Sequence, residues 1–312
     1  MQQLMRFRTI VLPNSIDLFK IAAGTVQATG KLVMWRPDVV FCKGGFVSLP
    51  AGFAAALLRI PVVLHDSDAH PGLANRILAR FATKIATGST LDHYPYPIEK
   101  SACVGIPLAE EYTIYSEEER TEFISHIGFA DKKPIVVVTG GGLGSQKVNT
   151  AIVSQLPELS TFCNIVLVSG SSHYDTVASH PNATKYADSF QLRAYVSSGM
   201  YKLLAASELV VTRGGATTLL ELAALAKPTI IIPNPYLTAG HQVKNAKGYE
   251  TEGAAIVVDE FEIDKHPNVL SDAILQVVNN KQVQQKLSAS IRRLAKPRAA
   301  KHVASMIVES IK

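Results

Sequence analysis

Short apolar runs that stop at glycine or at a polar cluster, then give way to helical stretches, recur along this 312-residue chain. Residues 37–42 (PDVVFC) run into Lys43-Gly44-Gly45 and an alanine-rich stretch at 50–58. Residues 61–64 (PVVL) end at His65-Asp66-Ser67-Asp68, ahead of a helical stretch at 73–81 and a short strand at 84–87. The rhythm restarts at 135–139 (IVVVT), with a glycine turn at 140–145 (GGGLGS) and a helix over 148–156. Further strands are expected at 165–169, 209–212, 229–232 and 255–258, and further helices at 200–206, 217–225, 241–250 and in two C-terminal stretches. Strands that are apolar throughout need both faces of their sheet covered, which is the parallel α/β arrangement. Two doubly wound α/β domains facing a cleft are expected, with ligands at the carboxyl ends of the strands.

Length and composition fit that reading. At roughly 150 residues per domain the chain holds two domains, and 47% hydrophobic with 18% charged residues is ample for two cores. The Glu-rich stretch between Pro107 and Pro134 interrupts the apolar rhythm, so the divisions expected are 1–108, a linker at 109–133, 134–298, and a C-terminal helix at 299–312 packing back on the first domain. No run approaches the roughly 18 apolar residues of a membrane-spanning helix. The start, MQQLMRFRTIVLP, lacks the long apolar region and cleavage site of a signal peptide. Three scattered cysteines form neither a disulfide framework nor a zinc pattern, which points to a reducing compartment; no metal ligand set is expected. The net charge of +5 suits an anionic partner, yet no basic run or aromatic-studded stripe suggests nucleic acid.

Chemistry concentrates at the strand ends. Glycines Gly140, Gly141, Gly142 and Gly144 let a backbone approach a phosphate, and the following helix start offers free N–H groups. An ordinary tight turn explains the loop equally well. A dinucleotide fingerprint would put glycine at position 145, where this chain has Ser145, and no acidic residue follows at the expected interval. At Thr212-Arg213-Gly214-Gly215-Ala216-Thr217-Thr218 a strand again ends in glycines, and the threonines suit helix capping. Glu221 follows near the end of the first helical turn; it could accept two hydrogen bonds from a ribose diol or merely complement the helix dipole. His241, Gln242 and Asn245 put an imidazole and amides at a loop-to-helix junction, where sugar hydroxyls could be read. In the first half, Gly44-Gly45-Phe46 and His65 beside Asp66 and Asp68 sit at successive strand ends. There an imidazole flanked by acids could orient or deprotonate a hydroxyl, and a purely structural histidine explains it equally well.

Together these stretches resemble the MurG family of cell-wall glycosyltransferases. PDVVFCKGGFVSLP is similar to the family's PDVV-x-x-x-GG-[YF]-VS segment, and PVVLHDSDAHPGLAN to its P-hydrophobic-HE-x-[ND]-x-x-x-GLAN segment. TGGGLGSQKVN resembles the GGS-x-GA-x-x-x-N loop, while TRGGATTLLELAALAKPTIIIPNP and HQVKNA resemble the donor-binding stretches. The resemblance runs from about Asp17 to the C-terminus. It implies a GT-B fold of two Rossmann-like domains, the first N-terminally incomplete. It implies inverting transfer of N-acetylglucosamine from UDP-N-acetylglucosamine, with no cofactor or metal, to an undecaprenyl-linked muramoyl-peptide at the cytoplasmic face of an anionic membrane.

The family's roles map onto Gly142, Val196, Arg213, Gly214, Gly215, Ala216, Thr217, Glu221, His241 and Gln242 on the donor side. They map onto Gly44, Gly45, Phe46, Asn75, Gly140, Gly141, Gly144 and Asn149 on the acceptor and diphosphate side, and onto His65, Asp66 and Asp68 for catalysis. Phe46 stands where Tyr is common, Asp66 where Glu is usual, and Gly142 where the family has Ser. The family's opening GG-T-GGH loop has no counterpart before Asp17, so an upstream segment or a partner chain is expected to supply it. A related lipid glycosyltransferase with another acceptor, such as diacylglycerol, fits the same motifs, as does a donor-binding subunit.

Overall fold

The computed structural model describes residues 15–68, 71–142, 144–237 and 240–311. The chain divides into two compact units: the residues up to Gly105 together with Arg298–Lys312, and Ile106–Pro297.

The first unit runs α1 (Ser15–Trp35), β1 (Val40–Cys42), α2 (Ser48–Leu57), β2 (Val62–Asp66), α3 (Leu73–Leu78), β3 (Lys84–Thr87) and β4 (Ser101–Cys103). Its parallel strands lie in the order β1-β2-β3-β4. Every residue of β2 is buried, as a strand covered on both faces requires. Leu64 points to the side where Leu49, Ala54, Leu78 and Ile85 form the core, and Val63 to the side covered by Val303 and Met306 of the C-terminal helix Ala299–Val308. That helix is further tied to β3 by the Lys84–Glu309 ion pair. Among the described residues β1 pairs only with β2, through Val40–Val62 to Cys42–Leu64, which leaves its other edge free.

The second unit continues with α4 (Glu117–Ile127), β5 (Ile135–Thr139), α5 (Gln146–Ser154), α6 (Leu156–Phe162), β6 (Asn164–Val168), α7 (Tyr174–Ala178), α8 (Pro181–Lys185) and β7 (Phe190–Arg193). There follow α9 (Met200–Ala206), β8 (Leu209–Thr212), α10 (Ala216–Ala224), β9 (Thr229–Ile231), α11 (His241–Thr251), β10 (Ile256–Val257), α12 (Glu260–Lys265), α13 (Val269–Val278) and α14 (Lys281–Arg293). The six strands are parallel in the order β10-β9-β8-β5-β6-β7. Alternate residues of β5 feed opposite layers: Val136 and Val138 pack with Val148, Ile152 and Ile274, Ile135 and Val137 with Leu203, Leu222 and Ile291.

The segment 109–133 is not a bare linker. Ser116 and Glu119 form a reciprocal capping box that starts α4. Arg120 donates to the Ala206 carbonyl at 2.9 Å and pairs with Glu208, locking α4 to the second unit. The expected division at residue 108 falls accordingly at Gly105.

Candidate functional site

In an open α/β sheet, ligands bind at the carboxyl ends of the strands where the strand order reverses. In the second unit that point lies between β5 and β8, neighbours in the sheet although β6 and β7 intervene in sequence. Both glycine turns of the sequence, after β5 and after β8, open there.

The turn after β5 is fixed by crowding. A Cβ on Gly140 would lie 2.5 Å from the Ser145 nitrogen. Gly144 has a left-handed φ of +73°, and a Cβ there would lie 2.0 Å from the Ser169 carbonyl oxygen. Asn149, 1% exposed, donates to that same carbonyl at 2.9 Å, while its own Oδ1 has no partner. Ser145 caps α5, its hydroxyl accepting from the Val148 amide.

The turn after β8 is left open. Gly215 is the N-cap of α10 and no side chain caps the helix, so its first amides retain their donor capacity and the positive end of the dipole. The expected capping by threonine does not occur, because Thr217 lies inside the helix. A Cβ on Gly214 would meet the Gln242 carbonyl at 2.5 Å, and Asn245 donates to the Gly214 carbonyl at 2.8 Å. These contacts bring α11, which His241 begins, against the turn. The Gln242 side chain accepts from the Asn234 amide at 2.9 Å, shaping the loop before α11.

Three further donor-side candidates are wholly or partly buried. Arg213 is 6% exposed and donates to Glu260 at 3.0 Å, so its charge is neutralised inside the unit rather than presented to a leaving diphosphate. Glu221 lies in the second turn of α10. Burial pushes its carboxyl above the usual range, partly offset by the hydroxyl of Tyr112; burial and Glu221 together push that phenol up in turn. Val196 is half-buried against the layer that holds Leu203 and Leu204.

The first unit carries a polar site of a different kind. A cavity of about 520 Å³ is lined by Lys43, Gly44, Phe46, Asp66, Asp68 and Asn75, among others. Gly44 has φ +91°, and a Cβ there would lie 2.6 Å from the Asn75 Oδ1, which has no partner of its own. Asp66, 2% exposed, accepts from the Tyr96 hydroxyl at 2.6 Å. Burial raises its pKa; hydrogen bonds from Tyr96 and Asn75 oppose that, and nearby Asp68 adds to it.

His65 is engaged on both sides of its ring. It is 0% exposed, its Nε2 lies 2.8 Å from the Gly105 carbonyl and its Nδ1 lies 3.2 Å from the Ser67 hydroxyl. A carbonyl only accepts, so Nε2 carries the proton and Nδ1 receives the serine. Burial lowers its pKa against the support of that carbonyl. A neutral imidazole with both nitrogens engaged braces the strand end. Asp66 and Asp68 remain on the cavity wall.

Sequence comparisons define what carries these sites. The glycosyltransferase family 28 N-terminal domain matches residues 4–87 and the family 28 C-terminal domain residues 135–303. Two parallel α/β units matched in this order make the protein a glycosyltransferase of the GT-B class. Relatives named UDP-N-acetylglucosamine--N-acetylmuramyl-(pentapeptide) pyrophosphoryl-undecaprenol N-acetylglucosamine transferase include one from Caldicellulosiruptor saccharolyticus, 32% identical over 97% of this chain and 80% of the relative. Another, from Lactococcus lactis, is 33% identical over 97% of this chain and 82% of its own length. Acinetobacter baumannii MurG superposes with a TM-score of 0.73 at 26% identity, covering 97% of this chain and 82% of that one. The chain belongs to the MurG family. A UDP-GlcNAc 2-epimerase from Neisseria meningitidis, bound to UDP-GlcNAc, shares the fold at TM-score 0.68 and 14% identity.

Proposed function

We propose that this protein transfers N-acetylglucosamine from UDP-N-acetylglucosamine to an undecaprenyl-linked muramoyl-peptide, the reaction for which its relatives are named. The observation that carries the donor half is the uncapped N-terminus of α10 at the reversal point of the second sheet, with Glu221 on the same helix. Amides 216 and 217 suit a diphosphate, Glu221 a ribose diol, and His241 and Gln242 the sugar end. Charge that develops on the departing UDP meets amides and a helix dipole already aligned, which is the cheapest form of transition-state stabilisation.

The acceptor half is the cavity of the first unit, with Asp66 as the base. The acceptor hydroxyl oxygen bonds to the anomeric carbon as its proton passes to the Asp66 carboxylate. The bond from that carbon to the phosphate oxygen breaks, and its electron pair leaves on UDP. Asn75, Gly44, Gly45 and Phe46 shape the cavity, and Asp68 orients the hydroxyl. On the second unit, Gly140, Gly141, Gly142, Gly144 and Asn149 shape the diphosphate side. Among the described residues the outer edge of β1 is unpaired, and a further parallel strand joining there would bring a glycine loop for the acceptor diphosphate.

Peripheral contact with an anionic membrane belongs to the same reading. Phe19, Val26, Val33 and Met34 stand exposed along one side of α1, with Lys20 and Lys31 flanking it, an apolar face with a basic flank. Of the other residues that the sequence offers for membrane contact, Ala54 and Ala55 in the 51–58 helix are core, and the side chain of Ile16 lies outside the described residues. No helix of the described residues is long and apolar enough to cross a membrane.

The test is labelled sugar entering a lipid acceptor carried in anionic vesicles. Label recovered in the lipid phase is the expected result. Release of free sugar or epimerised UDP-sugar with no lipid label would overturn the reading in favour of another reaction on the same fold.

A further inference from the structure

We propose that Tyr96 is the positioning residue for Asp66, holding one oxygen of the carboxylate so that the group faces the first-unit cavity as a ready proton acceptor. This rests on the reading of Asp66 as the base. The Tyr96 hydroxyl donates to Oδ2 of Asp66 at 2.6 Å, and both residues are buried. Its ring stacks on Tyr94, with centroids 5.5 Å apart and planes 15° from parallel. The Tyr94 hydroxyl donates to the Asp68 carbonyl at 2.7 Å and receives the Ser89 amide at 3.2 Å. Two stacked rings from one segment thus tie both ends of the loop 66–68. That segment is itself fastened, because Lys100 donates to the carbonyls of Ala79 and Ala82 at the end of α3.

Packing alone does not explain a tyrosine here. Phenylalanine would fill the same space without burying a hydroxyl, which is costly unless the hydroxyl is paired. The groups that face the Asp66 carboxyl are Tyr96, Asn75 from α3, and Asp68 on its own loop. His65 is next to it, Lys43 and Asp17 line the same cavity, and Arg76 acts on Tyr96 from α3. Burial and the charge of Asp68 favour the protonated acid, whereas Tyr96, Asn75 and the Asp68 backbone amide favour the carboxylate. A base must be ionised, so its activity is lost as pH falls through its pKa. Removing the Tyr96 hydroxyl raises that pKa and moves the acid limb to higher pH.

The experiment uses the full chain. The pH profile of kcat/KM for the lipid acceptor is measured for wild type and Tyr96→Phe, and Asp66 is titrated in both by carboxyl ¹³C NMR. The expected shift is upward by about one pH unit in both readouts, with roughly tenfold loss below the limb and little above it. If Tyr96→Phe folds poorly, 3-fluorotyrosine at position 96, a stronger donor, should move both midpoints downward. Unshifted midpoints in either variant overturn the proposal. Wild-type transfer by Asp66→Asn would instead defeat the reading of Asp66 as the base, while the NMR titration still reports on Tyr96.

Discussion

The end of β2 in the first unit and the end of β8 in the second are both carboxyl ends of interior parallel strands, yet they are finished with different materials. After β2 the side chains close on one another: Tyr96 on Asp66, Tyr94 on the Asp68 backbone, His65 between Gly105 and Ser67. After β8 the backbone is left open, with a helix start that no side chain caps. Under the proposed function, the difference follows the chemistry assigned to each end. A diphosphate is already charged and needs only aligned amides and a dipole. An acceptor hydroxyl must lose a proton, and that requires a carboxylate whose ionisation is set by its neighbours.

The sharpest way to break this contrast is at the acid. Asp66→Asn should lower transfer by about 10²–10⁴-fold, the usual contribution of a positioned acid–base group, as read in the lipid-labelling assay. Loss of less than threefold would move the base elsewhere. Gly214→Ala attacks the other end through sterics, since its Cβ would fall 2.5 Å from the Gln242 carbonyl. Overpacking of this kind costs about 1–3 kcal/mol, so UDP-sugar affinity should drop roughly ten- to a hundredfold. An unchanged dissociation constant would mean that the turn after β8 does not seat the donor.

Tyr112→Phe sharpens the comparison by pH. Burial raises the Glu221 pKa and the Tyr112 hydroxyl lowers it, so the variant should hold Glu221 protonated to higher pH. Affinity for UDP should fall several-fold near pH 5 and match wild type near pH 8. A uniform loss across pH would show that Tyr112 acts by packing alone.

The smallest effect is a control remote from both ends. Ala226 has φ +53° without being glycine, a strain of about 1–2 kcal/mol, partly offset by the extra unfolded-state entropy of glycine. Ala226→Gly should therefore raise stability by roughly 0.5–1 kcal/mol in denaturant titration with transfer unchanged. Destabilisation would mean that the strain is not there.

Much of this contrast was legible in the sequence, and the reason is physical. Buried parallel strands read as apolar runs such as IVVVT, and glycines mark the turns that only they can make, so five of the six strands of the second unit and both of its glycine loops are legible, while β7, whose FQLR carries polar Gln191 and Arg193, is not. Residues 117–127 were misjudged because their glutamates broke the apolar rhythm. The capping-box spacing of Ser116 and Glu119 was the signal for a helix there. The helix α1 escaped notice because it exposes Phe19, Val26, Met34 and Trp35, which blurs the periodicity of a covered helix. Tyr96, Tyr112 and Glu260 could not be found at all. Each acts on a residue 30, 109 or 47 positions away, and spacing carries no record of such contacts. The same limit hides the surroundings of His65 and Arg213, whose neighbours rather than identities decide that one is neutral and the other already paired.

The central claim is that the donor is held by the α10 end and the proton by the β2 end, each independently of the other. Calorimetric titration of UDP-N-acetylglucosamine into wild type, Glu221→Ala and Asp66→Asn tests it most directly. Lost hydrogen bonds to a charged group cost about 1.5–3 kcal/mol, so Glu221→Ala should bind roughly ten- to a hundredfold more weakly. Asp66→Asn should bind as wild type does. Unchanged affinity in a folded Glu221→Ala, or an equal loss in Asp66→Asn, would contradict the account.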